Sequence, residues 1–253
     1  MRLHAVEAGD GLPVVLLHGL FGQAVNFGAI QRRLAAGYRV IALDLRNHGA
    51  SPHAGDMGYA TMAADVRETL EALGALPCRL VGHSMGGKVA MMLALTQPAA
   101  VDRLVVADIA PVSYPPRLRG YVAAMRDVEL APGLTRAAAD AALTGAVAEA
   151  AVRGFLLQSL VPGAQPRWKL GLAEIAAAMP EIEGWEAPAA ARYAGPTLFV
   201  AGGRSNYIRA EHRGAIRALF PAARFVTLRR AGHWLHADDP EGFLEVLSAA
   251  LSG

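Results

Sequence analysis

The sequence predicts an α/β fold with a mostly parallel, doubly wound sheet and a helical cap inserted between two late strands. Three observations lead to this prediction. Short apolar runs alternate with longer helical patterns, the apolar runs lack a regular alternation of polar and apolar residues, and one late segment contains no strand-like run. Strands of a parallel sheet are buried on both faces, so their sequences are continuous apolar runs.

Six segments are predicted as strands: PVVLLHG (13–19), YRVIALD (38–44), CRLVGHS (78–84), DRLVVAD (102–108), GPTLFVAGG (195–203) and ARFVTLRRAGH (223–233). Helical patterns lie between most of them, as crossover connections between parallel strands require. The stretch 61–75 illustrates the pattern, because its apolar residues recur at spacings of three and four: Met62, Val66, Leu70 and Leu73.

The segment 112–191 breaks the alternation of strands and helices. It contains Ala- and Leu-rich stretches interrupted by proline, and no run in it predicts a strand. A segment of this length is too long for a loop, so we interpret it as several short helices. The prediction is therefore an α/β core of residues 1–111 and 192–253 that carries a helical cap of residues 112–191.

Composition limits the classes of protein. A hydrophobic fraction of 53% predicts a sizeable core, and a net charge of +2 with scattered arginines argues against a nucleic-acid partner. The single cysteine, Cys78, cannot form an internal disulfide, which fits a reducing compartment. The first residues contain no apolar segment typical of a signal peptide, and no run is long enough for a membrane span. We expect a cytoplasmic protein with no membrane partner.

The segment GHSMG (82–86) has the pattern G-x-S-x-G between a predicted strand and a predicted helix. That context is typical of a nucleophile elbow, a tight turn that holds a serine hydroxyl above the sheet edge. Ser84 is therefore the candidate nucleophile. Serine between glycines also occurs in ordinary loops, so the prediction depends on the flanking elements.

A serine hydroxyl needs a base, and the chain offers eight histidines. His233 follows the last predicted strand and precedes the final helix. Loops that follow parallel strands share one edge of the sheet, so His233 can meet Ser84 there. His236 is the alternative, but it lies further into the loop.

The acid of a catalytic triad usually follows the strand at 195–203, where this chain has Asn206. A neutral amide cannot stabilise an imidazolium as a carboxylate does. Asp108 ends the preceding strand, beside the strand of the serine, and is therefore the candidate acid. The alternative is that Asp108 only caps the turn that follows it.

The turn HGLFG (18–22) after the first long strand supplies a candidate oxyanion hole. The backbone N–H of Leu20 or of Phe21 is expected to act with the N–H of Met85, which lies at the start of the helix after Ser84. The histidines and acids show no metal-ligand spacing, and the glycines form no phosphate cradle, so neither a metal nor another cofactor is predicted.

The segments HGLFG, DLRNHGAS, GHSMGGK, DIAPVSY and AGHWLHADDP together resemble the α/β-hydrolase superfamily. Within it, the chain is similar to bacterial cytoplasmic serine esterases that also cleave acyl-CoA thioesters, a group with a related mitochondrial branch. The resemblance implies an α/β-hydrolase fold, an acid at Asp108 in the DIAP motif, and activity on small-molecule acyl esters and thioesters.

The predicted function is a serine hydrolase that cleaves carboxylic esters through an acyl-enzyme on Ser84. Enzymes that hydrolyse carbon–carbon bonds or perform perhydrolysis use the same three side chains, and a non-catalytic binding protein on this fold is a further alternative.

An apolar substrate pocket is predicted from Phe21, Tyr121, Trp168 and Trp234, although the same residues could form the core of the cap. Arg46 and Arg204 could meet an acidic group of the substrate such as the phosphates of CoA, with solvated surface or structural pairing as the alternatives. The sequence gives no prediction of oligomeric state.

Overall fold

The computed structural model describes residues 1–252 and contains a seven-stranded sheet with the strand order β1-β3-β2-β4-β5-β8-β9 and a separate two-stranded sheet, β6-β7. Every neighbouring pair of the seven-stranded sheet is parallel except β1–β3, which is antiparallel. The mostly parallel sheet predicted from the sequence is thus confirmed. The strands are β1 (Ala5–Ala8), β2 (Pro13–Leu17), β3 (Arg39–Leu43), β4 (Cys78–His83), β5 (Val101–Ala107), β6 (Leu160–Val161), β7 (Arg167–Trp168), β8 (Thr197–Gly202) and β9 (Ala223–Leu228).

Helices cover both faces of the sheet, which explains why its strands lack an alternating pattern. Val14 and Leu16 of β2 belong to one buried cluster with residues of α1 and α11, whereas Val15 and Leu17 belong to a second cluster with residues of α2 and α3. The α-helices of the described residues are α1 (Gly28–Leu34), α2 (Tyr59–Ala72), α3 (Met85–Thr96), α4 (Arg119–Asp127), α5 (Arg136–Leu143), α6 (Ala150–Leu157), α7 (Leu172–Ala177), α8 (Met179–Glu183), α9 (Arg213–Leu219), α10 (Leu235–Asp238) and α11 (Pro240–Leu251).

Strand β1 at the edge of the sheet was not predicted. Its four residues, AVEA, pair antiparallel with β3, and its two central residues are exposed. An exposed edge strand of this length carries no long apolar run, so the pattern that reveals the buried strands is missing here.

The segment between β5 and β8 carries helices α4–α8, in agreement with a helical insertion between two late strands. The prediction that it contains no strand is wrong, because β6 and β7 form a short antiparallel hairpin. Each of these strands has only two residues and they flank a turn with two prolines, which is too little sequence for a strand pattern. The division into a core and a cap at residues 112 and 191 stays a prediction. In residues 1–252, no helix is long and apolar enough to cross a membrane.

Candidate active site

Ser84 occupies the turn between β4 and α3, with φ 52° and ψ −121°. This positive φ is uncommon for a residue with a side chain, and the surrounding contacts enforce it. A Cβ on Gly82 would overlap the backbone of Gly86, and a Cβ on Gly86 would overlap the carbonyl groups of Leu17 and His18. The two glycines are therefore required by the close approach of strand and helix that exposes Ser84.

The structure brings Ser84, His233 and Asp108 into one chain of hydrogen bonds. His233 Nε2 lies 3.0 Å from Ser84 Oγ, and His233 Nδ1 lies 2.8 Å from Asp108 Oδ2. A carboxylate only accepts hydrogen bonds, so the ring carries its proton on Nδ1 and leaves Nε2 to accept the serine proton. His236, the alternative base, instead packs its ring against Phe27 and His83.

The carboxylate of Asp108 is fully buried and well supplied with donors. The backbone N–H of Gly202 donates to Oδ1 at 2.9 Å, and the hydroxyl of Ser205 donates to Oδ2, which also accepts from His233. Both oxygens therefore bind groups of other segments, and neither caps the turn after β5. Asn206, at the usual position of the acid, makes no side-chain hydrogen bond to His233.

Three neighbours that the sequence analysis did not single out as partners of His233 fix its position. Tyr207 stacks on its ring, with centroids 4.1 Å apart and an interplanar angle of 23°. His83 Nε2 lies 2.7 Å from the carbonyl oxygen of His233. Ser205 contacts the carboxylate that holds the ring. All three residues lie close to predicted strand ends, but residue type alone does not predict that their side chains point towards His233 or its carboxylate partner.

The turn after β2 presents one unoccupied backbone donor. Phe21 has φ 65°, and its N–H donates to His48 Nε2 at 3.2 Å. The N–H groups of Leu20 and Met85 have no hydrogen-bond acceptor among residues 1–252. Leu20 and Met85 line the same cavity as Ser84 and His233. The geometry therefore favours Leu20 over Phe21 as the second oxyanion donor.

Two buried neutral histidines hold this turn. His48 Nδ1 donates to the carbonyl oxygen of Arg46 at 2.8 Å, which leaves Nε2 as the acceptor for Phe21. His18 Nδ1 donates to the carbonyl oxygen of Gly19, and its Nε2 accepts the N–H of Leu45 at 3.0 Å. Burial lowers the pKa of His18 and lowers the pKa of His48 to about 3, so both rings stay neutral at physiological pH.

A His48→Phe variant is expected to lose on the order of 10²-fold in kcat, because the oxyanion turn loses the acceptor that fixes the N–H of Phe21. The bulk of the ring is kept, so the contact with His18 is retained. Steady-state kinetics of ester hydrolysis measure the effect, with the melting temperature recorded in parallel. His53→Phe, at an exposed position in the same loop, is the control. An unchanged kcat in His48→Phe would remove His48 from the support of the oxyanion hole.

Acid should destabilise the fold through its buried histidines. Burial lowers the pKa of four histidines: His18, His48, His83 and His236. The pKa falls to about 3 in His48 and to about 4 in His236. Below their ordinary pKa of 6.5 the unfolded chain binds protons that the folded chain excludes. The stability from these groups is complete above this pH and is lost as pH falls towards the folded-state values, by about 1.4 kcal/mol per pH unit for each ring. Urea unfolding between about pH 7 and about pH 5 measures the slope.

The matched variant for this pH dependence is His236→Phe, because Nδ1 of His236 is buried without a hydrogen-bond partner among the described residues. The slope of the unfolding free energy against pH should be smaller in this variant than in the wild type, by the equivalent of about one bound proton. The exposed change His53→Phe should leave this slope unchanged. Equal slopes in all three proteins would contradict the assignment.

A cavity of about 440 Å³ contains Ser84 and His233. The four residues predicted for the substrate pocket do not line this cavity, so that prediction is wrong. Phe21 is buried in the core, and Tyr121 packs at its border. Trp168 lines a separate depression, and Trp234 lines a small void and contacts Phe155. Residue type indicates an aromatic side chain, but the path of the backbone determines where it points.

The cavity is instead lined by tyrosines and cations, among them Tyr59, Tyr114, Tyr207, Lys88 and Arg204. Arg46 lies elsewhere, since it is buried in an ion pair with Asp65 at 2.5 Å. In the part of the chain that the structure describes, no three side chains of His, Cys, Asp or Glu are grouped so that they could hold a metal ion.

A serine on a strained strand-to-helix turn, a histidine within hydrogen-bond distance of it and a buried carboxylate behind that histidine define a site of the serine-hydrolase class. A family model described as the alpha/beta hydrolase fold matches residues 13–240. The chain therefore belongs to the α/β-hydrolase family.

Curated relatives match nearly the whole chain. The sn-1-specific diacylglycerol lipase ABHD11 of Mus musculus is 42% identical over 248 residues, which cover 94% of this chain and 80% of the relative. Esterase YbfF of Escherichia coli (strain K12) is 38% identical over 241 residues, which cover 95% of this chain and 93% of the relative. A solved structure described as a marine microorganism esterase superposes with a TM-score of 0.95 at 32% identity and covers 98% of this chain and 99% of its own.

Proposed function

We propose that this protein hydrolyses carboxylic esters through an acyl-enzyme on Ser84, with His233 as the general base and acid and Asp108 as the residue that orients His233. Relatives between 38% and 42% identical are named as an esterase and a diacylglycerol lipase, which supports a carboxylic ester hydrolase.

Acylation begins when the substrate carbonyl enters the cavity beside Ser84. Ser84 Oγ attacks the carbonyl carbon while its proton passes to His233 Nε2, 3.0 Å away. The carbonyl oxygen becomes an oxyanion that accepts the N–H groups of Leu20 and Met85. The imidazolium is stabilised by the carboxylate of Asp108, which accepts from Nδ1 at 2.8 Å. His233 then donates its Nε2 proton to the departing alcohol, and the acyl group remains on Ser84.

Deacylation repeats these steps with water. His233 Nε2 takes a proton from a water molecule as the water oxygen attacks the acyl carbon. The same two N–H groups bind the second oxyanion. Collapse of this intermediate returns the proton from His233 to Ser84 Oγ and releases the carboxylic acid.

The observation that carries the proposal is the unbroken chain of hydrogen bonds from Asp108 through His233 to Ser84 at the wall of a cavity. A panel of chromogenic short-chain esters tests it with the purified protein. Turnover is expected, and treatment with a serine-directed phosphonate should abolish it. The absence of turnover on every ester would favour a binding protein. Cleavage of ring-cleavage diketones in place of ester hydrolysis would favour the carbon–carbon hydrolase alternative. Transfer of the acyl group to peroxide in place of water would favour the perhydrolase alternative.

Two related reactions, thioester hydrolysis and acyl transfer to an alcohol, would use the same acyl-enzyme. Thioesters such as acyl-CoA differ only in the leaving group, so an acyl-CoA series belongs in the same panel. A relative in Saccharomyces cerevisiae, 36% identical over 271 residues, is named as a probable alcohol acetyltransferase. If an alcohol replaced water in the second half of the reaction, ester products would accumulate when alcohol is added. Product analysis with and without alcohol distinguishes hydrolysis from transfer.

A further inference from the structure

Lys88 lies one helical turn after Ser84 on α3 and lines the same cavity. Its residue surface is only 1% exposed, although a lysine is almost never fully buried without a partner. The reaction described above makes no use of this cation. The chain contains just one other lysine, Lys169, at an exposed position.

The ammonium group of Lys88 has an incomplete set of acceptors. Nζ donates to the carbonyl oxygens of Gly184 at 2.6 Å and of Glu183 at 3.3 Å. The rings of Tyr59 and Tyr114 flank it at 5.3 and 5.1 Å, distances typical of cation–π contacts. An ammonium carries three N–H donors, and the described residues offer acceptors to two of them. One donor is therefore left for a group that enters the cavity.

The lining of the cavity is strongly cationic for a chain with a net charge of only +2. Arg117, Arg204 and Arg209 line it together with Lys88. Neither Arg117 nor Arg204 forms an ion pair with a residue in the range 1–252. The acidic residue in the lining is Glu183, and its Oε2 already accepts two N–H groups of Arg119, at 2.9 and 2.7 Å. Arg209 pairs with Glu211 at 3.2 Å, so the excess positive charge comes from Lys88, Arg117 and Arg204. A concave wall with an excess of one sign concentrates the field and attracts an anion.

We propose that this cavity selects ester substrates that carry a carboxylate apart from the scissile ester, and that Lys88 binds this carboxylate. The inference rests on the proposed ester hydrolysis and names a specificity residue for it. Lys88 is the central donor because it is buried in the wall of the cavity, where a charge-assisted hydrogen bond is strong. The arginines add a long-range attraction for the same charge.

The test compares matched acidic and neutral esters. On the acyl arm, mono-para-nitrophenyl glutarate is compared with para-nitrophenyl hexanoate. On the alcohol arm, para-acetoxybenzoate is compared with para-acetoxybenzamide. The wild type should show a higher kcat/KM for the acidic ester in one of these two comparisons. The comparison that shows the preference also tells whether the acyl side or the alcohol side of the substrate faces Lys88.

Lys88→Met, which keeps the length of the side chain and removes the charge, should reduce this preference about 10- to 100-fold, the size expected for a hydrogen bond to a charged group. Lys169→Met, the same change at the exposed lysine, should leave it unchanged.

The ratio of the two kcat/KM values is measured on one preparation, so it does not depend on the fraction of folded enzyme. A purely structural role of Lys88 would change stability and both rates together but would not change this ratio. If the wild type hydrolyses neutral esters and prefers the acidic ester on neither arm, or if Lys88→Met keeps the preference, the inference is overturned and the proposed function stands. If no ester is hydrolysed at all, the proposed function itself fails.

The preference should also depend on pH. Burial lowers the pKa of Lys88 to about 7, against the opposing effect of Glu183 on α8. The other titratable groups that face it are Tyr59 of α2 and Tyr114 before α4, and burial raises the pKa of both phenols, so they remain neutral. As pH rises through the pKa of Lys88 the cation is lost, and the wild-type preference should decrease towards that of Lys88→Met. A preference that is constant with pH in the wild type would contradict binding by this ammonium.

Discussion

The Ser84→Ala variant is expected to lose on the order of 10⁶-fold in kcat for ester hydrolysis, because no other group in the site can form the acyl-enzyme. The fold should survive the change. The side chain of Ser84 makes one hydrogen bond, to His233, and the backbone N–H that donates to Ala107 at 3.0 Å is kept. The measurement is the rate of para-nitrophenyl butyrate hydrolysis, with circular dichroism and the melting temperature as checks on folding.

The matched control for this variant is Ser248→Ala, at an exposed position of α11. It should keep the wild-type rate. A Ser84→Ala preparation that is free of other hydrolases and retains a rate near that of the wild type would refute the nucleophile assignment.

The Asp108→Asn variant is expected to lower kcat by about 10⁴-fold, since an amide offers the wrong partner to Nδ1 of His233 and no negative charge for the imidazolium. Asn206→Ala should stay close to the wild type, because Asn206 makes no side-chain hydrogen bond to His233. The same ester assay measures both variants. Comparable losses at both positions, or no loss at Asp108, would place the acid elsewhere.

The unusual position of this acid has a simple structural basis. Strands β5 and β8 are neighbours in the sheet, and the N–H of Asp108 donates to Val200 of β8 at 2.8 Å. A carboxylate at the end of β5 therefore lies beside the loop after β8, where the acid of a catalytic triad usually lies. The last residue of β8, Gly202, and Ser205 in the loop after it are donors to Asp108. The acid and its support come from two adjacent strand ends.

The sequence predicted the features that depend on the period and position of residue types. The strands β2, β3, β4, β5 and β8 are predicted by their continuous apolar runs, which two-sided burial requires. Strand β9 lies at the edge of the sheet and is only partly buried, and its shorter apolar run also predicts a strand. Ser84, His233 and Asp108 are predicted as candidates because each lies at the C-terminal end of a predicted strand, and parallel strands end at one edge of the sheet. The structure places all three together.

Features that depend on the direction of a side chain could not be predicted in this way. Trp168 and Trp234 are predicted as pocket residues because they are aromatic, yet they line other depressions. His48 was a loop residue in the sequence, and its contact with Phe21 depends on how two loops fold across each other. The edge strand β1 and the hairpin β6–β7 are too short to produce a pattern.

The central claim is that the hydroxyl of Ser84 is the nucleophile and that His233 activates it. Its most direct test is labelling of the purified protein with a fluorophosphonate, followed by mass spectrometry of the digested peptides. We predict one adduct per chain, on Ser84, in step with the loss of esterase activity, and labelling that is slowed by orders of magnitude in His233→Ala. An adduct on another residue, or full activity after stoichiometric labelling of Ser84, would contradict the claim.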